Sequence, residues 1–254
     1  MALRAKRIVL TGGSGGLGQH VAARFLQEDA DLIVMSRTSA GNGASNLRHV
    51  EIDLSTSAGI TDACTVVARE EPDILINMAG VQYFGPAEKQ SFDEMHESYM
   101  VNLVAPAALC TACLPFMKRR NSGQLANVGS IFGSIPLAHF AAYSSAKAGL
   151  RAFSEALRRE LADTEIDVTY VAPRAVRTGM LTPEIQKYAA LTNMNIDPPE
   201  IISARIATAI KQRKKEVYIG FPEQFFVRLN AVLPRLVDAA VARNDRKAMN
   251  FFAV

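Results

Sequence analysis

Hydrophobic residues occur in short runs that alternate with longer stretches of helical spacing. After a first run at residues 8–10, Leu17, Val21 and Phe25 recur every four residues, on one face of a helix. Further runs predict strands at residues 32–35, 49–53, 74–77, 125–128, 168–171 and 217–219. Neighbouring parallel strands need long crossover connections, and the stretches of helical spacing between these runs would provide them. We therefore expect an α/β fold with a doubly wound parallel sheet of about seven strands.

The alternation of strands and helices ends near residue 220. We expect a single Rossmann-type domain over residues 1–220, followed over residues 221–254 by an amphipathic helical extension that is interrupted near Pro234. From residue 211 onward there are nine Lys/Arg against four Asp/Glu, whereas the whole chain carries a net charge of only +3. The extension would form a subunit contact in a homo-oligomer, dock on an anionic membrane or acyl-carrier partner, or close one wall of an active site. The subunit contact is favoured, because amphipathic helices are more often buried against protein.

Composition and charge exclude several classes of protein. The three cysteines are too few for a disulfide framework in a chain of 254 residues, and a net charge of +3 without a nucleic-acid motif gives no reason to expect a nucleic-acid partner. Residues 1–7 lack the features of a signal peptide, and no run of about 18 uncharged apolar residues predicts a membrane-spanning helix. We expect a cytoplasmic protein, with peripheral membrane contact open through the extension.

A glycine-rich turn connects the first strand to the first helix. Its sequence is Thr11-Gly12-Gly13-Ser14-Gly15-Gly16-Leu17-Gly18. Such a turn lets a pyrophosphate approach the backbone N–H groups at a helix N-terminus. Its position between a strand and a helix favours a nucleotide site over a merely flexible turn.

The end of the second strand indicates which nucleotide is bound. A carboxylate there would bond the ribose 2′-hydroxyl of NAD, but the chain has Ser36-Arg37-Thr38. The Arg37 guanidinium suits a 2′-phosphate, so NADP(H) is predicted over NAD(H). The alternative is that Arg37 is a solvated loop residue.

Tyr143 and Lys147 lie four residues apart in a predicted helix and therefore project from the same side. A free phenol has a pKa of about 10, and a neighbouring ammonium would lower that pKa. Ser130, just past the fifth predicted strand, would donate a hydrogen bond to a carbonyl oxygen. The alternative is that Tyr143 and Lys147 form an ordinary surface pair.

Together these motifs resemble the classical short-chain dehydrogenases/reductases over roughly residues 7–220. The matching positions are Thr11-Gly12-x-x-x-Gly16-x-Gly18, Asn77-Met78-Ala79-Gly80, Asn102, Ser130 and Tyr143-x-x-x-Lys147. The resemblance implies that Tyr143 is the general acid in reduction, that Lys147 lowers the phenol pKa and binds the nicotinamide ribose, that Ser130 polarises the carbonyl and that Asn102 holds a water in the proton relay. It also implies cofactor contacts by Thr11, Gly12, Gly16, Leu17, Gly18, Ser36, Arg37, Asp53, Asn77, Ala79, Gly80, Tyr143, Lys147, Pro173 and Thr178.

Two positions depart from the family pattern. Met78 stands where a second asparagine is usual, a change that leaves the strand plausible. Arg174 stands where glycine usually follows Pro173, so its side chain must either face solvent, which is the default, or bind a phosphate or the substrate.

Other residues receive no functional role at this stage. Cys110 and Cys113 lie inside an apolar helical stretch, which favours buried packing over a redox or metal pair. The four histidines lack metal-ligand spacing, and His139 alone is a candidate to border the substrate.

Residues 178–200 correspond to the family's substrate lid and are largely apolar. The main hypothesis is therefore an NADPH-dependent reductase of a lipophilic ketone or 3-oxoacyl-type carbonyl, interconverting it with the alcohol. The alternatives are an NAD-dependent alcohol dehydrogenase and a non-catalytic nucleotide-binding sensor.

Overall fold

A parallel sheet organises the chain in the computed structural model, which describes residues 3–38, 44–246 and 251–252. The sheet strands are β1 (Arg7–Thr11), β2 (Asp31–Ser36), β3 (Leu47–Glu51), β4 (Ile74–Asn77), β5 (Gly123–Val128), β6 (Ile166–Pro173) and β9 (Glu216–Ile219), and the two-residue strands β7 (Ala175–Val176) and β8 (Ile196–Asp197) pair separately. All seven sheet strands are parallel, in the order β3-β2-β1-β4-β5-β6-β9. The reversal of strand order beside β1 confirms the doubly wound prediction.

Helices cover both faces of this sheet. They are α1 (Gly16–Leu26), α2 (Ser57–Glu70), α3 (Phe92–Tyr99), α4 (Ala105–Arg120), α5 (Ala141–Glu160), α6 (Pro183–Thr192), α7 (Pro199–Lys211), α8 (Glu223–Val232) and α9 (Pro234–Asp245). A π-helical segment, Met100–Val104, joins α3 to α4, and a short 3-10 turn, Ile131–Gly133, follows β5. The predicted break near Pro234 separates α8 from α9.

The pleat of each strand sends side chains into two separate cores. Ile8 and Leu10 join the core with Val21 and Phe25 of α1, whereas Val9 joins the core on the other face. Val21 and Phe25 are fully buried, as their spacing predicts. Burial of each contributes about 1.5–3 kcal/mol to folding.

The third strand begins and ends two residues earlier than predicted. Its pairing with β2 stops where Ser36 lies opposite Glu51. Asp53 instead accepts a hydrogen bond from the Ser55 N–H at 3.0 Å, in the turn that opens α2. The carboxylate therefore lies on a loop at the edge of the sheet and not in a strand.

One helical run, Phe92–Arg120, is apolar and long enough to cross a membrane by length and composition alone, which the sequence analysis did not anticipate. Of its most apolar window, 56% is buried inside the protein. Leu109, Cys110 and Cys113 are fully buried there, which confirms the packing interpretation of the two cysteines. Core burial explains the apolar composition.

The C-terminal extension is amphipathic and follows β9. Val227 of α8 and Val237 of α9 face inward and are buried. Residues 247–250 and 253–254 of the predicted extension, and residues 1–2 and 39–43 of the predicted domain, lie outside the described residues. The division at residue 220 stays a prediction.

Candidate active site

A cleft of about 470 Å³ lies at the carboxyl ends of the strands, where the strand order reverses. Open α/β sheets bind ligands at this switch point. Its lining includes fourteen of the predicted site residues: Gly12, Gly16, Leu17, Gly18, Ser36, Arg37, Asp53, Ala79, Gly80, Ser130, Tyr143, Lys147, Pro173 and Thr178. The fold therefore brings together residues from both halves of the chain in one cavity.

The glycine-rich turn forms one wall of the cleft. Gly12 has φ +71, and a Cβ added there would lie 2.7 Å from Ala79 Cα, so the ends of β1 and β4 approach closely only with glycine. At the N-terminus of α1, Gly15 provides no side-chain cap, and no described side chain takes that role. A glycine cradle at an uncapped helix N-terminus fits a dinucleotide pyrophosphate.

The adenosine end of the cleft holds Ser36, Arg37 and Asp53. The Arg37 guanidinium is 64% exposed and lies 3.8 Å from Glu97 Oε1, a long surface ion pair. Hydrogen bonding to Ser55 lowers the pKa of Asp53, and the charge of Arg37 lowers it further. Arg37 is thus held loosely, on the cleft wall. Glu97 also lines the cleft and was missed by the sequence analysis, since it comes from α3.

Two predicted cofactor contacts lie beneath the cleft and support its wall. Thr11 Oγ1 accepts hydrogen bonds from the N–H groups of Met78 at 3.0 Å and Ala79 at 3.1 Å. The Asn77 amide is buried and donates to Asn127 Oδ1 at 2.8 Å. Both side chains fix the loop after β4, on which Ala79 and Gly80 reach the cavity.

Tyr143 and Lys147 face the cleft from the same side of α5, as their spacing predicts. Lys147 Nζ lies 5.8 Å from the centre of the Tyr143 ring and donates to Val128 O at 3.1 Å. Ser130 follows β5 and caps the 3-10 turn. Its Oγ accepts a hydrogen bond from the Phe132 N–H at 3.1 Å, which fixes the side chain beside the phenol. The buried lysine rules out an ordinary surface pair.

The electrostatics of this pair differ from the sequence expectation. Burial raises the pKa of the Tyr143 phenol to about 12, and a hydrogen bond with Ser130 offsets only part of that rise. Burial also lowers the pKa of Lys147 to about 8. Removal from water therefore dominates the pKa values of both groups, an effect that spacing does not reveal. At neutral pH the phenol carries its proton.

Asn102 lies in the π-helical segment, fully buried next to the cleft. Its Nδ2 donates to Val81 O at 2.7 Å and to Ser98 O at 2.9 Å. Its Oδ1 accepts no hydrogen bond from the described residues, and a Cβ added at Gly80 would lie 3.1 Å from it. A buried acceptor without a partner fits the predicted water.

The other end of the cleft is apolar. The predicted lid contains α6, and the side chains that line the cavity here are Phe132, Phe140, Met180, Leu181, Ile185 and Met194. Gln82 Nε2 donates to Met180 O at 2.6 Å and holds the start of the lid.

His139 packs behind this wall, with its ring 4.5 Å from that of Phe252, and does not border the cavity.

Arg174 does not face solvent, which was the default prediction. Its side chain is only 17% exposed and forms ion pairs with Asp197 at 2.8 Å and Glu223 at 2.9 Å. The guanidinium is neutralised by these two carboxylates at a position where Arg174 also lines the cleft. Local sequence spacing does not reveal these contacts, because the acidic partners lie 23 and 49 residues away along the chain.

The C-terminal extension reaches the back of the apolar wall. The rings of Phe251 and Phe252 lie 5.9 Å and 5.1 Å from that of Phe84, and Tyr188 of α6 donates to Asp245 Oδ1 at 3.3 Å. Of the three roles left open by the sequence, these contacts favour closure of the active-site wall, from behind the residues that line the cavity.

Comparisons with known proteins agree on one family and one fold. A family model described as short chain dehydrogenase matches residues 6–189. The chain is 29% identical to the ketoacyl reductase HetN of Nostoc, over 86% of this chain and 79% of that protein, and 28% identical to dehydrogenase/reductase SDR family member 7B of Rattus norvegicus, over 98% and 85%.

Two solved structures share the fold. A short chain dehydrogenase from Burkholderia cenocepacia in complex with NADP has a TM-score of 0.82 at 22% identity, over 95% of this chain and 99% of that chain. A 4-hydroxyisoleucine dehydrogenase complexed with NADH has a TM-score of 0.76 at 24% identity, over 84% and 96%. Similar structures thus hold either nicotinamide cofactor.

Proposed function

Because the chain belongs to the short-chain dehydrogenase family, we propose that it is an NADPH-dependent reductase of a lipophilic ketone or 3-oxoacyl-type carbonyl. The observation that carries this proposal is the placement of Tyr143, Lys147 and Ser130 around one cavity, with a glycine cradle at its other end. When bound, the nicotinamide dinucleotide supplies the hydride.

The protein's own residues would handle the proton. The neutral Tyr143 phenol donates its proton to the carbonyl oxygen, which the Ser130 hydroxyl polarises. The Lys147 ammonium, one helical turn along, stabilises the phenolate that remains. Buried Asn102 Oδ1 holds a water for the return of the proton.

The preference for NADPH rests on Arg37. No carboxylate follows β2 at the position where one would bind a ribose 2′-hydroxyl, and Arg37 is exposed on the cleft wall. A 2′-phosphate carries more negative charge than the Glu97 carboxylate and would draw the guanidinium into a bidentate contact.

The preference for a lipophilic carbonyl rests on the apolar lining of the lid. Met180, Leu181, Ile185 and Met194 offer this end of the cavity little hydrogen bonding. The name of the Nostoc relative, a ketoacyl reductase, supports the 3-oxoacyl class. A cytoplasmic location and a homo-oligomeric state stay predictions.

A panel of aliphatic 2-ketones, aromatic ketones and acetoacetyl-coenzyme A, assayed by loss of NADPH absorbance, tests the proposed reaction. Reduction of at least one of these compounds is expected. NADPH binding without turnover on any of them would support the sensor alternative.

The Tyr143→Phe variant tests the proton donor. With the proton donor removed, turnover should fall by about 100- to 10,000-fold, while the Kd for NADPH changes by less than about threefold. The matched control is Tyr218→Phe, which removes a phenol outside the cleft and should retain full activity. Undiminished turnover in Tyr143→Phe would exclude the mechanism.

A further inference from the structure

The Arg174 side chain connects three parts of the fold. Its Nε and Nη2 atoms donate to the two carboxylate oxygens of Asp197, each at 2.8 Å. Its Nη1 atom donates to Glu223 Oε2 at 2.9 Å and to Phe221 O at 3.0 Å. These contacts use both edges of the guanidinium fork, the geometry in which arginine binds carboxylates most strongly.

Each acidic partner belongs to a different functional element. Asp197 ends β8, which pairs with β7. This pair of strands brackets the lid and is called the lid base here. Glu223 begins α8 and therefore the C-terminal extension, and its second oxygen accepts from Asn195 Nδ2 at 2.8 Å. Arg174, at the end of β6, thus links the lid base to the extension.

The backbone opposite Arg174 is adapted to the arginine stem. Gly220 has φ +131, and a Cβ added there would lie 2.7 Å from Arg174 Cδ. A side chain at position 220 would displace the arginine, so the observed position of Arg174 requires glycine at position 220.

From this geometry we infer that Arg174 is a positioning residue, which locks the base of the substrate lid to the C-terminal extension. The lid residues Met180, Leu181 and Ile185 line the apolar end of the cleft. Their position depends on the pairing of β7 with β8, which Arg174 holds through Asp197. Loss of the Arg174 contacts should therefore loosen the lid and widen the apolar end of the cleft. Among the described residues, the hydrogen bonds of the Arg174 guanidinium go to the lid base and the extension and not to the glycine cradle or α5, so the effect should fall mainly on the substrate end.

Hydrogen exchange monitored by mass spectrometry tests the lock without any substrate. In Arg174→Met, amide exchange over residues 178–196 should rise at least fivefold, because the guanidinium's four hydrogen bonds are lost, two of them to Asp197 in the lid base. Exchange in α1 and α5 should be unchanged. Arg174→Lys keeps the charge but loses the fork, and should give a smaller rise in the same segment.

The glutamate shows whether the extension is coupled to the lid. Glu223→Gln should increase lid exchange by itself and should add little in the Arg174→Met background, since the new amide keeps an oxygen that can accept from Asn195 and loses only the ion pair with Arg174. The matched control is Glu71→Gln, which weakens the ion pair between the C-terminal end of α2 and Arg119 of α4 and should leave the lid unaffected. If Arg174→Met does not fold, Arg174→Lys and Glu223→Gln decide the question.

Kinetics supply a second measurement, which rests on the proposed function. For acetoacetyl-coenzyme A or 2-decanone, whichever the wild type reduces, Arg174→Lys should raise KM about tenfold and change kcat and the Kd for NADPH by less than about threefold. Unchanged lid exchange in every Arg174 and Glu223 variant would overturn the lock and leave the proposed reaction intact. If lid exchange rises as expected but the protein reduces no carbonyl, the lock stands and the proposed reaction is overturned.

Discussion

At the scale of single residues, Arg37 is expected to decide which cofactor is bound. Arg37→Asp should weaken NADPH binding by about 10- to 100-fold, the effect of losing a charge-assisted hydrogen bond, and should strengthen NADH binding through the ribose 2′-hydroxyl. Fluorescence titration with each cofactor measures both constants. The matched control is Arg119→Asp, because Arg119 is 65% exposed and ion-paired like Arg37 but lies outside the cleft. Equal loss of both cofactors would contradict the assignment.

The buried Lys147 predicts an unusual dependence of stability on pH. Below about pH 8 its amine is charged in both states, and the folded state bears the cost of burying that charge. Between the folded pKa of about 8 and the ordinary value of 10.5, the unfolded state binds more protons, so the free energy of unfolding rises with pH.

The Lys147→Met variant removes this titration. At pH 7 the variant should be more stable than the wild type by roughly 1–3 kcal/mol, and the difference should shrink as the pH approaches 10. Denaturant unfolding at several pH values measures the gap. Lys118→Met, on an exposed side chain paired with Glu160, is the control and should show no such trend. A gap that is constant with pH would refute the effect of burial.

These residues also show what the sequence could predict. Spacing placed Tyr143 and Lys147 on one side of a helix, and the structure confirms it. The predicted direction of the Tyr143 pKa shift was wrong, because that direction depends on how much water the surrounding elements exclude. The default prediction that Arg174 faces solvent was wrong for a similar reason, since its partners are distant in sequence.

At the scale of secondary structure elements, hydrophobic periodicity predicted all seven sheet strands, because each fully buried strand needs an apolar run. The exception in detail is β3, an edge strand that carries few buried side chains, so its ends have a weak signal. The strands β7 and β8 have two residues each, too few for any periodicity. The lid base was therefore invisible in the sequence, although the lid itself was located.

At the scale of the whole molecule, the extension leaves an apolar face uncovered. Val232 is 75% exposed, Leu236 is 59% exposed, and Phe225, about two turns before Val232 in α8, is 56% exposed. Arg235 and Asp238, both exposed, give this face charges of both signs. A face of mixed charge can pair with its own copy across a two-fold axis, so we expect it to form the predicted subunit contact.

The double variant Val232→Glu/Leu236→Glu tests that contact. Its mass by light scattering should fall below that of the wild type, because the charges face each other across the contact. Its melting temperature at matched protomer concentration reflects the lost association alone, since both side chains are exposed within the protomer. The control Thr61→Glu/Thr65→Glu adds the same charge on exposed positions of α2 and should leave the mass unchanged. An unchanged mass in the test variant, combined with loss of flotation on phosphatidylserine vesicles, would assign the face to an anionic membrane instead.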